Sequence, residues 1–216
     1  MISSSIKLIQ INLNRSQAAT ESALQLAIEL KVDLIIVQEP WIYTPSPIDD
    51  YSNSRSVLHP SFTQILPRNN KLRPRTLAYI SKEFKPLVCL AASSPLDPDL
   101  LVIDIIEGSY KIQLLNIYNE ADQLGSNTST LTRCLYDQEL YSSSILLGDF
   151  NTHHPWWDPL AHQSPRAEEL VEWLELKNLS LQNTPGIGTF YRPNLVRESV
   201  LDLTFTTSSI ASSISN

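Results

Sequence analysis

Apolar residues recur along this chain at two spacings, every second residue and every third to fourth, which sort it into strands and helices. Ile6 to Ile11 alternates closely enough to predict a strand ending at Asn12-Leu13-Asn14. Ser16 is placed to cap a helix through SQAATESALQLAIEL, in which Leu24, Ala27 and Ile28 share one face with Ala23 and Leu30 flanking it. LIIVQ, Leu34 to Gln38, is a continuous apolar run, read as a strand buried on both faces and stopped by Pro40 directly after Glu39. Strand, helix and strand with a short connection make a βαβ unit, so Asn12 and Glu39 emerge at the same edge of a sheet.

Pro40 to Ser56 reads as an exposed loop, followed by short strands near Phe62 to Leu66, Thr76 to Ile80 and Phe84 to Leu90. Leu101 to Ile106 and Tyr110 to Tyr118 flank Glu107-Gly108-Ser109, a hairpin signal that leaves Tyr118 at a strand's carboxyl end. Thr128 to Tyr141 spaces Leu131, Cys134, Leu135 and Gln138 along one side of a helix. Ser164-Pro165 opens another, with Glu168 and Glu169 in its first turn, Leu170, Val171 and Leu174 at core spacing beside Trp173, and an end near Lys177-Asn178. Ser180 to Gln182, Thr189 to Tyr191 and Val200 to Thr206 read as closing strands before a Ser-rich tail. Two sheets face to face with helices outside are the simplest way to bury these apolar faces. No composition break divides the chain, which predicts one domain over 1–216.

The stretch with the most chemistry is SILLGDFNTHHPWWD, Ser144 to Asp158. Ile145, Leu146 and Leu147 read as a buried strand, with Gly148 ending it at a sharp turn, and Asp149, Asn151 and His153 follow at alternate positions. A carboxylate, an amide and an imidazole just past a core strand suit gripping a phosphate, a metal-bound water, or both, and ligands of open α/β sheets bind outside the carboxyl ends of strands. An Asx-rich turn packed over Pro155 and Trp156 accounts for the same residues without chemistry. Trp156, Trp157 and Trp173 read as core or partly buried aromatics.

Composition trims the options. No apolar run approaches the roughly 18 residues of a membrane span, and the N-terminus lacks the basic region and cleavage site of a signal peptide. Cys89 and Cys134 are far apart in apolar settings, expected as buried free thiols in a reducing compartment, and no Cys/His spacing suggests zinc. A net charge of −7 argues against an indiscriminate nucleic-acid coat. Locally, RNNKLRPR puts Arg68, Lys71, Arg73 and Arg75 together, either as phosphate contacts or as a solvated loop.

QINLNRS, IIVQEPW, LLNIYNE, LLGDFNTHHPWW, GTFYRP and SVLDLTF stand in the order and approximate spacing of the endonuclease/exonuclease/phosphatase superfamily. The chain resembles most the endonuclease domain of non-LTR retrotransposons, relatives of the apurinic endonucleases. The resemblance implies a four-layer α/β sandwich of two mixed β-sheets with helices outside. It implies Mg²⁺ or Mn²⁺ held by Glu39 with help from Asn12, Tyr118 reaching the scissile phosphate, Asp149 orienting or deprotonating the attacking water, and Asn151 steadying phosphate oxygens. Asp202 matches the Asp that normally orients a catalytic His, and Thr189 a Thr with a supporting phosphate contact. Asn14 is read either as a neighbour of the metal shell or as an ordinary turn Asn. His153 and His154 resemble an HH pair with a local structural role, His153 being also a candidate substrate contact.

The implied function is divalent-metal-dependent nicking of DNA by an intracellular, nuclear retroelement protein linked to a reverse transcriptase in a longer polyprotein. One departure qualifies it. Family members end in a Ser-Asp-His segment, and no His follows His162 here. The expectation is therefore a domain incomplete at its C-terminus, lacking its last strand or strands, with a sheet edge exposed beside Val200 to Thr206 and activity in question. General acid-base catalysis contributes about 10² to 10⁴ in rate. A catalytically impaired remnant and a phosphoesterase acting on a lipid head group are the competing expectations.

Overall fold

The computed structural model describes residues 5–43, 51–68, 71–120, 129–191 and 197–211. The chain opens with β1 (Leu8–Asn12), α1 (Gln17–Glu29) and β2 (Leu34–Gln38). Ser16 Oγ accepts the Ala19 N–H and so caps α1, while Lys31 with φ 53° makes the tight return into β2. β1 and β2 are parallel with Asn12 opposite Gln38, and β3 (Phe62–Ile65) and β4 (Thr76–Ser81) complete a four-stranded sheet ordered β1-β2-β4-β3.

The second sheet comprises β5 (Leu87–Leu90), β6 (Leu100–Glu107), β7 (Tyr110–Tyr118), β8 (Ser144–Asp149), β9 (Leu179–Leu181) and β10 (Asp202–Thr207). Its order is β5-β6-β7-β8-β10-β9, with β7 and β8 parallel and the other neighbours antiparallel. α2 (Pro165–Leu176), capped by Ser164 Oγ, lies over this sheet, and α3 (Ser208–Ala211) follows β10.

Three apolar seams hold the layers. Ala23, Leu24 and Ala27 of α1 pack on Ile35, Val37, Leu77 and Tyr79. Leu34, Ile36, Ala78 and Ile80 of the first sheet meet Leu101, Ile103, Ile105, Leu114 and Leu147 of the second. Leu115, Ile117, Leu146, Leu203 and Phe205 point away from that seam and receive Ala167, Leu170, Trp173 and Leu174 of α2. The period of two along each strand serves both faces, because in the central strands each face is covered. Helix, sheet, sheet, helix is the four-layer sandwich expected from the resemblance.

Several local expectations are corrected. The helix over 128–141 is, from residue 129 onward, only a π-helical stretch, Leu131–Leu135. Tertiary anchors hold its start alongside the helical bond from the Arg133 N–H to the Ser129 carbonyl: Asn119 Oδ1 accepts the Thr130 N–H, and Thr130 Oγ1 donates to the Tyr118 carbonyl. On α1, Ile28 and Leu30 are exposed and Thr20 is buried, so the packed stripe is Thr20, Ala23, Leu24 and Ala27. Val171 of α2 is only partly buried. Cys134 is buried but Cys89 is only partly so.

Thr189 to Tyr191 is not a strand; it makes a single bridge, Phe190 to Ser199. β10 is no edge either, since β8 and β9 pair on its two sides and the three-residue β9 is the margin. Gly148 does not turn the chain. It lies inside β8, where a Cβ would sit 1.9 Å from the Ile117 carbonyl oxygen, so its missing side chain lets β8 approach β7 closely.

Candidate functional site

The two sheets diverge at the ends of β1, β2, β7 and β8 and leave a cleft of about 940 Å³. Sequence spacing dictates who faces it. On β1, Gln10 and Asn12 follow Leu8 at the strand period; on β7, Asn116 and Tyr118 follow Leu114; on β8, Asp149 follows Leu147. The inter-sheet seam therefore changes from apolar to polar within two residues on each strand. At the transition Gln38 Nε2 donates to Asn116 Oδ1 at 2.7 Å, and Asn116 Nδ2 donates to the Val37 and Leu77 carbonyls.

Asp149 is the centre of the cleft floor. It stands in register with Tyr118 on one side and Asp202 on the other. From the opposite sheet Asn12 Nδ2 donates to its Oδ2 at 2.9 Å, and the Asn151 backbone N–H donates to its Oδ1 at 3.1 Å. Burial pushes the Asp149 carboxyl up to about 7; the neighbouring Asp202 carboxylate and Glu39 push the same way, against the two hydrogen bonds. Asp202 is raised as well, by burial, although Thr189 and Gln10 hydrogen-bond to its carboxylate, Gln10 Nε2 donating at 3.0 Å.

Glu39 enters from the first sheet. Its φ of 46° turns the chain out of β2, its N–H donates to the Arg75 carbonyl at 2.8 Å, and its own carbonyl accepts the Arg15 N–H. Asn14, Arg15 and Asn151 also have positive φ, at 46°, 56° and 47°, so the described backbone is held in the left-handed region at four non-glycine positions around one cleft. Such residues are costly and persist where surrounding contacts over-determine them. The Tyr118 phenol lines the cleft with Glu39; burial raises its pKa most, with the negative charges of Glu39 and Asp149 adding, so it stays protonated as a donor.

The donor set suits a hard divalent cation. Glu39 offers a carboxylate that is mostly but not wholly covered, and Asn12, which lines the cleft, has an Oδ1 that among the described residues accepts the Asn14 N–H and nothing else. Among the described residues no group of three or more His, Cys, Asp or Glu side chains could form an all-protein cage. One carboxylate with amide oxygen, water and substrate phosphate is how Mg²⁺ is commonly bound. The residues present therefore fit such an ion.

Every position singled out in the sequence, Asn12, Asn14, Glu39, Tyr118, Asp149, Asn151, His153, Thr189 and Asp202, lines this cleft. Their bonding distinguishes them. Thr189 Oγ1 accepts both the Leu201 and Asp202 N–H groups and its hydroxyl serves the Asp202 carboxylate, so it holds Asp202 rather than facing a ligand freely. Asn151 Nδ2 gives one proton to the Asn119 carbonyl at 2.7 Å. His153 is exposed on the cleft wall, whereas His154 is structural, its Nδ1 accepting the Trp156 N–H and its Nε2 lying 3.2 Å from Glu168.

Sequence reasoning missed Gln10, Arg15 and Asn119. Gln10 was legible, being one strand period before Asn12. Arg15, whose Nη2 is 2.7 Å from Glu39 Oε1, and Asn119, which locks the Phe150 and Thr130 backbone, depend on loop geometry that no spacing rule signals. Of the basic segment, Arg75 is turned inward onto Asp99 and Glu120 and is no free phosphate contact. Residues 69 and 70 of that segment lie outside the described residues.

Comparison with known proteins identifies the fold. The model of a family described as endonuclease-reverse transcriptase matches residues 112–216. Among solved structures, the endonuclease domain of TRAS1, a telomere-specific non-LTR retrotransposon, superposes with a TM-score of 0.74 at 17% identity, over 98% of this chain and 90% of that one. The AP endonuclease LMAP from Leishmania major gives 0.64 at 15% identity, over 96% and 80%. An AP endonuclease from Archaeoglobus fulgidus gives 0.62 at 15% identity, over 96% and 89%. Likeness at these identities is likeness of fold. No curated protein sequence matches this chain.

Proposed function

We propose that this chain, whose residues 112–216 match the model of a family described as endonuclease-reverse transcriptase and whose fold is that of the endonuclease/exonuclease/phosphatase nucleases, hydrolyses phosphodiester bonds with a divalent metal and nicks DNA. The observation that carries this reading is the meeting of Glu39 and Asn12 from one sheet with Tyr118, Asp149, Asn151 and Asp202 from the other around one cleft.

Glu39 and the Asn12 amide oxygen would hold Mg²⁺ or Mn²⁺, which when bound supplies polarisation of a phosphate oxygen and charge stabilisation for the leaving 3′-oxygen. Asp149, deprotonated, accepts the proton of a water in line with the scissile bond. Asn12 aims that carboxylate across the sheet gap, and burial, with the Asp202 charge adding, keeps its proton affinity high, which is what a general base near neutral pH needs. Tyr118, kept protonated, donates to a phosphate oxygen, and the second Nδ2 proton of Asn151, which meets no acceptor among the described residues, donates to another. In a retroelement the nick would supply a 3′-hydroxyl to a reverse transcriptase, the partner implied for this domain.

The test is relaxation of supercoiled plasmid by the purified chain with Mg²⁺ or Mn²⁺. Nicking that is abolished in Glu39→Ala and by chelation supports the proposal. A second reading, a domain that folds without cleaving, is favoured by Asp202: among the described residues its carboxylate is met by Gln10 and Thr189 and by no histidine. No nicking above the Glu39→Ala background would establish that reading instead.

A further inference from the structure

We infer that Arg75 is a positioning residue for this site, holding Tyr118 and Glu39 in place from behind, and is not a contact for the nucleic-acid backbone. The inference deepens the hydrolytic reading and rests on it. Two side-chain contacts of Arg75 and two backbone bonds beside it converge here. Its guanidinium lies over the Tyr118 ring, with Cζ 5.1 Å from the ring centroid. Its Nε and Nη2 grip the two oxygens of Asp99, which is fully buried, and Nη1 reaches Glu120. Its backbone carbonyl takes the Glu39 N–H at 2.8 Å. The Asp99 carbonyl in turn takes the Tyr118 N–H, also at 2.8 Å.

Arg75 and Asp99 thus form one clamp between the start of β4 in the first sheet and the end of β7 in the second. Its outer side is braced by Arg133, which donates to Asp97 and, at 2.6 Å, to Asp99 Oδ2. The two groups so clamped are the carboxylate proposed to hold the metal and the phenol that lines the cleft with it. A planar guanidinium can stack on an aromatic face and fork onto a carboxylate at once; a lysine ammonium keeps the charge and can do neither. Buried charges left without partners are costly, so Arg75→Lys is the informative change and Arg75→Ala is not.

The experiment is a double-mutant cycle of Arg75→Lys and Tyr118→Phe on nicking, with Mn²⁺ affinity measured in parallel by calorimetry on DNA-free protein. Expected is a fall in kcat of about 10- to 100-fold for Arg75→Lys with KM for DNA and the salt dependence of binding unchanged, shrinking to less than about 3-fold when Tyr118→Phe is already present. Asp99→Asn should reproduce the pattern with Arg75 intact. Mn²⁺ affinity should weaken in both single variants and no further in the double. A rise in KM with a shallower salt slope would make Arg75 a backbone contact and overturn the inference, as would losses that simply add. If the wild-type chain does not nick but the Mn²⁺ cycle is non-additive, the clamp stands and the hydrolytic reading falls; nicking with an additive cycle has the reverse meaning.

Discussion

The same strands build two unlike regions. Below, Leu34, Ile36, Leu101, Ile103, Leu114 and Leu147 close the gap between the sheets without a polar atom. Above, one or two strand periods further on, Gln38, Asn116, Asn12, Tyr118 and Asp149 occupy the positions that would continue that seam. The seam stays shut because apolar area removed from water is worth about 25 cal/mol per Å², whereas polar side chains at the same spacing keep the sheets apart or must pair across them. Gln38 and Asn116 pair and seal the boundary. Asn12 and Asp149 pair at the floor of an open cleft. The cleft is a hydrophobic seam that is left unfinished on one side.

One substitution in each region separates the two. Glu39→Ala should reduce metal-dependent nicking by about 10³-fold, roughly 4 kcal/mol of barrier, while thermal unfolding of the metal-free protein barely changes. Leu147→Ala, two residues before Asp149, should do the opposite, costing about 2 to 5 kcal/mol in denaturant unfolding and leaving the turnover of the folded fraction near normal. If both variants lost stability alike, the cleft would be part of the core and the distinction would fail.

Asp149→Asn sharpens it through pH. A carboxyl whose folded pKa is raised to about 7 binds a proton more tightly folded than unfolded. It therefore costs the fold nothing below its unfolded pKa near 4, an increasing amount as pH rises from about 4 to 7, and its full amount above that. In chelator at pH 8, Asp149→Asn should be more stable than wild type by about 1 to 3 kcal/mol, the two curves converging near pH 4, even as nicking falls by about 10² to 10⁴. A stability gap that did not vary with pH would remove the case for a strained, buried acid.

The smallest effect is expected at Arg15, which is half exposed and paired to Glu39. Arg15→Ala should alter stability by less than about 1 kcal/mol. Because the guanidinium competes for the carboxylate, Mn²⁺ affinity should rise severalfold, which calorimetry on the DNA-free protein would read.

Much of this was legible in order of residues. The βαβ unit placed Asn12 beside Glu39 because parallel strands joined by one helix must end at the same edge, and their register bears that out. Ser16 and Ser164 marked helix starts by chemistry that is local. Elements whose stability comes from elsewhere were misread. The 128–141 helix failed because Asn119, Tyr118 and the Asp97 and Asp99 carboxylates capture its polar groups. Arg75 looked like surface charge because nothing near it in sequence reveals Asp99, 24 residues on.

What the sequence determined by itself is what depends on neighbours along the chain: strand and helix periods, caps, the parallel entry of β1 and β2, and which strand ends carry carboxylate, amide and phenol. Only the tertiary structure decided which of those ends face one another across the two sheets. It decided that β10 lies inside its sheet beside β8, bringing Asp202 to Asp149, and that a glycine within β8 draws Tyr118 alongside. The raised pKa of Asp149 belongs to that second class, because burial and the field of other charges are properties of the assembled interior and not of any stretch of chain.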